Sequence, residues 1–265
     1  MGRLHTLFPN LVRLDEETHT YTDAEGLEYM SFSRIVNEFL CPKFDGVNIS
    51  KHVARSQGIS ADEVLGKWDK QRDEGTRIDN ALTLYAQTGQ ILQSDADLEG
   101  LIKTVLAKYS KLNKTYEQVV VYNKDFRTAG SLDKLGIMSN RKDSGFKIFD
   151  FKVMELGITF DSKGQKWFND PFDYLINSRY NKISIQLSFY AYHLELLTGR
   201  KCEGLFIDLI KPIKDGDKVV EYKNSIIPVS YQKYGVERLL EMNKDKILRL
   251  LEPQVINVID DNYEF

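Results

Sequence analysis

The sequence predicts an α/β protein in which a mixed central sheet is flanked by helices and preceded by a helical N-terminal portion. Three observations predict it. Apolar residues recur at helical spacing up to residue 112, β-rich segments then follow one another from 117 to 153, and helical periodicity returns at 182–197 ahead of a strand, a hairpin and a last helix. A chain of 265 residues, 42% hydrophobic and 28% charged, can bury a sizeable core without staples.

Residues 14–32 alternate polar and apolar around the turn-forming Asp23-Ala24-Glu25-Gly26, which predicts a hairpin from His19-Thr20-Tyr21 to Tyr29-Met30-Ser31. Ser31 or Ser33 then caps a helix carrying Ile35, Val36, Phe39 and Leu40. Helices are expected over 48–57, 60–88 and 95–112, because Val64, Leu65 and Trp68, then Ile78, Leu82 and Tyr85, share helical spacing. Ser60-Ala61-Asp62-Glu63 has the form of a capping box. From Glu117 the character changes: strands are expected at Glu117–Tyr122, 127–138 and 146–153, at hairpin spacing. Gly157, Gly164 and Asn169-Asp170-Pro171 mark 154–180 as an irregular insertion. Ile183, Leu187, Tyr190 and Leu194 line one side of the next helix; a strand at 203–210, a hairpin across Lys214-Asp215-Gly216-Asp217 and a helix at 231–251 follow. Residues 1–112 therefore form a hairpin-and-helix region and 113–265 the core, together one compact unit.

Composition narrows the class of function. No segment approaches the roughly 18 consecutive apolar residues of a membrane span, and the N-terminus offers no apolar signal core, so a cytoplasmic protein with no membrane partner is expected. Cys41 and Cys202 stand far apart without a CxxC partner, against an iron–sulfur cluster, a zinc knuckle or a disulfide framework. His5, His19, His52 and His193 show no metal-ligand spacing. The absence of a GxxxxGK[ST] loop argues against an ATP-driven helicase. A net charge of −3 means that any nucleic-acid contact rests on a local positive surface.

The informative stretch is Ala129-Gly130-Ser131-Leu132-Asp133-Lys134-Leu135 followed by Lys147-Ile148-Phe149-Asp150-Phe151-Lys152-Val153. Side chains alternate along a strand, so Ile148, Asp150 and Lys152 share one face, and Phe149, Phe151 and Val153 the other. A carboxylate among apolar neighbours is costly unless a cation compensates it, which points to magnesium bridging Asp133 and Asp150, with Lys152 orienting a water or stabilising charge. Taken alone, D-x-K is most often the pattern of an ordinary surface ion pair. What distinguishes it here is order: a Gly-Ser-Leu-Asp strand, an Asp-Phe-Lys strand, then a helix bearing Gln186 and Tyr190.

In that order the sequence resembles the PD-(D/E)XK nucleases, which share a restriction-endonuclease-like core, and within them the RecB-like branch with its stand-alone phage-type exonucleases. The matching motifs are Gly130 to Asp133, Asp150 to Lys152, and Gln186 to Tyr190, within residues 75–210. The resemblance implies a divalent-metal-dependent deoxyribonuclease, an exonuclease acting in recombination, replication or end processing. Its partners would be DNA, as single strands or duplex ends, and a homo-oligomer or a recombination or replication protein; its compartment would be the host cytoplasm if phage-encoded. Asp133 and Asp150 would bind the metal, the carbonyl of Val153 or Phe151 would add a ligand, and Lys152 would serve the attacking water. Glu117 looks like the acidic residue that often opens this core, or is a solvated strand end. Gln186 and Tyr190, four apart on one helix face, would hold the lysine or touch the nucleic-acid backbone; Tyr190 is equally plain core. Glu74-Gly75-Thr76-Arg77-Ile78-Asp79 looks like the G-T-x-x-H segment of RecB-like members with Asp79 in place of histidine. As a ligand Asp79 would favour magnesium over manganese; otherwise it is an exposed helix residue. In the insertion, Lys163, Lys166 and Arg179 alternate with Trp167, Phe168, Phe172, Tyr174 and Tyr180, which suits single-stranded nucleic acid or a loop packed by its own rings. Two further functions fit the residues: a nucleic-acid-binding protein with this fold that does not cleave, and a metal-dependent phosphohydrolase acting on small molecules.

Overall fold

The computed structural model describes residues 12–15, 17–18, 20–41, 45–139, 144–154, 167–216 and 218–252. Three short strands, β1 (Arg13–Asp15), β2 (Thr20–Thr22) and β3 (Glu28–Ser31), open the chain. The expected hairpin is β2–β3, and β1 extends it by pairing with β2. Ser31 accepts a bond from the Arg34 amide and caps α1 (Phe32–Ile35), which widens into a π-helical turn over Val36–Leu40. Then come α2 (Gly46–Gln57) and the long α3 (Ala61–Thr88). The capping box at Ser60 is formed: the Glu63 amide donates to Ser60 Oγ at 3.1 Å, and the Ser60 amide donates to Glu63 Oε2 at 2.8 Å. The region expected as one helix over 95–112 is instead a 3₁₀ turn (Gln93–Leu98), α4 (Glu99–Ala107) and a second 3₁₀ turn (Lys108–Lys111).

Next follow β4 (Lys114–Asn123), β5 (Thr128–Ile137) and β6 (Phe146–Val153), then α5 (Arg179–Thr198), β7 (Cys202–Asp215), β8 (Lys218–Val229) and α6 (Lys233–Leu251). The sheet is mixed: β3 with β5 and β6 with β7 are parallel, and the other pairs antiparallel. Helices cover both faces. Ile148 of β6 packs in one core with Leu132, Ile207, Leu187 of α5 and Leu240 of α6, while Phe149 and Phe151 pack in another with Ile78 and Leu82 of α3 and Ile102 of α4. Burial on both faces explains the near-continuous apolar run of β6. Among the described residues no helix is long and apolar enough to cross a membrane.

One irregularity positions everything that follows. On one edge of β5, β6 pairs only with Lys134–Ile137, and β3 only with Thr128 and Ala129. Gly130–Asp133 face a split between those neighbours. On the other edge, the β4 ladder runs from Glu117↔Lys134 to Val119↔Leu132 without pairing Gln118 to Asp133, and Gln118 takes a φ of +49°. The strand is thus loosened on both sides at Asp133.

Candidate active site

Asp133 fills the split itself: its Oδ2 accepts the Phe151 amide at 2.8 Å, a side chain standing in for the ladder bond that the diverging strands cannot make. Past the split, period-two alternation puts Asp150 and Lys152 on one face of β6, where Lys152 Nζ lies 2.6 Å from Asp150 Oδ2. This pair is not a surface one, since the side chains are 3% exposed for Asp150 and 25% for Lys152. Lys152 Nζ also donates to the Phe151 carbonyl at 3.2 Å, which engages one of the two carbonyls expected as ligands. From the helical layer, Asp79 of α3 reaches the same place, held by Gln118 Nε2 donating to its Oδ2 at 3.1 Å.

These residues border a cavity of about 770 Å³, lined among others by Asp79, Asp133, Lys152, Val153 and Arg179. Asp150 lies just behind Lys152 rather than on the wall. The electrostatics follow from crowding. Burial, then the neighbouring Asp150, push the Asp133 carboxyl up to about 8, and burial likewise raises Asp79. Burial works against the charge of Lys152, but Asp150 and Asp133 outweigh it and raise the ammonium above its ordinary value. Lys152 is therefore a cation at neutral pH.

The donor set consists of oxygens, which suits a hard divalent cation. Asp79 Oδ1 is buried and has no hydrogen-bond partner, a cost that a cation would remove. Against this, no group of three or more His, Cys, Asp or Glu side chains among the described residues could hold a metal ion as they stand. Asp150 leans on Lys152, and one oxygen each of Asp133 and Asp79 is already engaged.

Other expected residues lie elsewhere. Glu117 is neither a solvated strand end nor on the cavity wall: it is buried in an ion pair with Lys134, whose ammonium lies 4.8 Å from the centre of the Tyr109 ring. The cause is register, because Glu117 and Lys134 are direct partners across β4 and β5. Tyr190 is buried and cannot touch a nucleic-acid backbone; its hydroxyl accepts from Gln186 Nε2 at 2.8 Å, and its ring lies against Gly130. Arg179 and Tyr180 belong not to the insertion but to the first turn of α5, where Ser178 accepts from the Asn181 amide and starts the helix three residues before the apolar periodicity does. Phe168 and Phe172 are buried in the core, so those rings pack the fold, whereas Trp167 and Tyr174 are exposed. Lys163 and Lys166 lie outside the described residues. His193 is buried against the Thr128 hydroxyl at 2.8 Å, and burial pushes its imidazole down to about 3.

Gln118, Lys134 and the cavity-facing side of α3 with Trp68 and Arg72 are the residues that sequence reasoning did not single out. Only Trp68 carried a signal, its place in a helical apolar pattern, and that pattern pointed to a core position. Gln118 gives none, because its importance comes from a backbone conformation that glutamine does not advertise.

No family model and no curated protein matches the chain. Among solved structures it is similar to a crystal structure of a candidate exonuclease from Eubacterium rectale, with 18% identity over 84% of this chain and 81% of that one, at a TM-score of 0.41.

Proposed function

We propose that this cavity is the active site of a divalent-metal-dependent nuclease of the PD-(D/E)XK type, hydrolysing phosphodiester bonds in DNA and working as an exonuclease. The observation that carries the reading is the convergence of Asp79, Asp133 and Asp150, from α3, β5 and β6, on Lys152 beside an open cavity. Burial and mutual repulsion raise Asp133 and Asp79 despite Lys152, and a divalent cation beside them would relieve that cost.

Asp79 and Asp133 would hold magnesium, or manganese in its place, with Asp150 and the Val153 carbonyl completing the oxygen set. When bound, the ion supplies Lewis acidity at a phosphoryl oxygen and makes a nearby water more acidic. Asp150 orients Lys152 through their ion pair. Lys152, held beside Asp150, orients the attacking water or stabilises phosphoryl charge. Gln118 steers Asp79, and Phe151 steers Asp133, each through one hydrogen bond. Arg179, exposed at the start of α5, offers the entering phosphate a cation.

The test is degradation of end-labelled single- and double-stranded DNA with magnesium, by the protein and by Asp150→Ala and Lys152→Ala. Activity that disappears in both variants supports the site; equal activity in all three overturns it. One observation favours a second reading, a nucleic-acid-binding protein that does not cleave: Asp150 is engaged by Lys152, and the acids stand in no ready metal shell. DNA binding without products under magnesium or manganese would select it.

A further inference from the structure

Helix α3 buries Val64 near its start and Ile78, Ala81 and Leu82 toward its end, yet none of the residues between Val64 and Ile78. A helix whose middle carries a tryptophan outside the core invites the question of what that middle faces. It faces the cavity: Leu65, Trp68, Arg72, Thr76 and Asp79 all line it, at spacings of three and four residues that mark a single helical face. With a rise of ~1.5 Å per residue, Arg72 stands about 10 Å and Trp68 about 16 Å along the axis from Asp79.

We propose that this stripe is the track of a single nucleic-acid strand, with Asp79 at the reacting end, Arg72 opposite a backbone phosphate and Trp68 a ring on which a base stacks. This rests on the reading of the cavity as a phosphodiester site. The order of chemistry along the helix is the argument. The crowded carboxylates lie at one end, where a cation would be held, and the guanidinium and indole follow at distances that only a polymer spans. A mononucleotide at Asp79 would not reach Trp68, and a paired base would not present its face to the ring. Arg72 pairs with Asp69 at 2.9 Å and Asp73 at 3.7 Å, but its side chain is 69% exposed, so these contacts are weak and a phosphate can displace them. Exposed Arg179 provides a second cation on the cavity wall.

The span gives the proposal a length. Sixteen ångströms is about five nucleotides at the stacked spacing of ~3.4 Å and fewer for an extended strand. Binding of oligothymidylates from two to eight nucleotides, with magnesium, to the full chain carrying Asp150→Asn measures it free of turnover. Trp68 and Trp167 are the two tryptophans, so Trp167→Phe leaves Trp68 as the reporter. Affinity is expected to rise with length up to about five nucleotides and then level off, with Trp68 fluorescence quenched only by the longer strands. Trp68→Ala should weaken the octamer about tenfold, the scale of one lost base–ring stack, and leave the dinucleotide unchanged. Trp68→Phe should retain most of the octamer affinity, which a loss of folding would not allow. An octamer bound no more tightly than a dinucleotide, equal weakening of both by Trp68→Ala, or a blunt duplex that binds and quenches as well as a single strand overturns the track. The length pattern without cleavage by the otherwise unaltered protein overturns the nuclease reading and keeps the track; cleavage without the length pattern does the reverse.

Discussion

Two acid–lysine pairs sit on neighbouring strands of this sheet, and they do different things. Glu117 and Lys134, from β4 and β5, are 7% and 2% exposed, and the lysine lies against the rings of Tyr109 and Phe151. Asp150 and Lys152, both from β6, are 3% and 25% exposed, and the lysine borders the cavity with Asp133 and Asp79 around it. In the first pair one acid meets one base with no route to solvent, so the charges compensate each other and hold two strands in register. In the second the acids outnumber the lysine and the site opens outward, so its balance is reached by protonation of a carboxyl or by a cation that enters. Stoichiometry and access, not the presence of an acid beside a lysine, separate a fold-supporting pair from a candidate reactive one.

Asp150→Ala or Lys152→Ala is expected to lower magnesium-dependent DNA hydrolysis by about 10³-fold, the scale of removing one preorganised charge from a reacting site; Asp150→Ala should also keep the fold, because it relieves the crowding at Asp133. Substitution at the other pair should invert this outcome. Lys134→Ala leaves Glu117 charged and buried, at a cost of about 3–5 kcal/mol in urea unfolding, whereas Glu117→Leu with Lys134→Met should cost far less than the two single changes together. If Lys134→Ala unfolds like the unaltered chain but loses activity, the two pairs are not as different as proposed.

Gly130 sharpens the packing side. A methyl group there would overlap the Tyr190 ring, so Gly130→Ala should destabilise by about 1–3 kcal/mol, and much less in a Tyr190→Ala background. A separate effect concerns pH. Asp133 is raised from 3.8 to about 8 in the fold, so its contribution to stability is full below about pH 4 and lost as pH rises through 8. The slope is at most about 1.4 kcal/mol per pH unit, and thermal melts without metal should fall over that window. Magnesium should restore the melting temperature at pH 8, and Asp133→Asn should remove both effects. Parallel pH profiles for Asp133→Asn and the unaltered chain would mean that Asp133 is ordinary.

Some of this was legible one residue after another. Ser60 and Glu63 make the capping box that their spacing announces, β5 and β6 begin and end within a residue or two of the apolar pattern, and Asp150 and Lys152 meet because strand side chains alternate. These are local consequences of backbone geometry, and local geometry is written into short stretches of sequence. The role of Glu117 was not legible, because its partner lies 17 residues away and only the strand register brings the two together. Nor was the buried state of Tyr190, which depends on Gly130 lying beneath its ring, or the turn at Gln118 that aims its amide at Asp79.

The order of helices and strands and the D-x-K pair on one face of β6 can be read from the sequence, whereas the parallel pairings that make the sheet mixed cannot. Only the tertiary structure decided which acids join that pair, that Asp79 of α3 and Asp133 of β5 do and Glu117 does not, and that one face of α3 lines the cavity. The physical reason is that burial and charge crowding are properties of the space between elements, fixed by where β5 and β6 part and by which helix covers the gap.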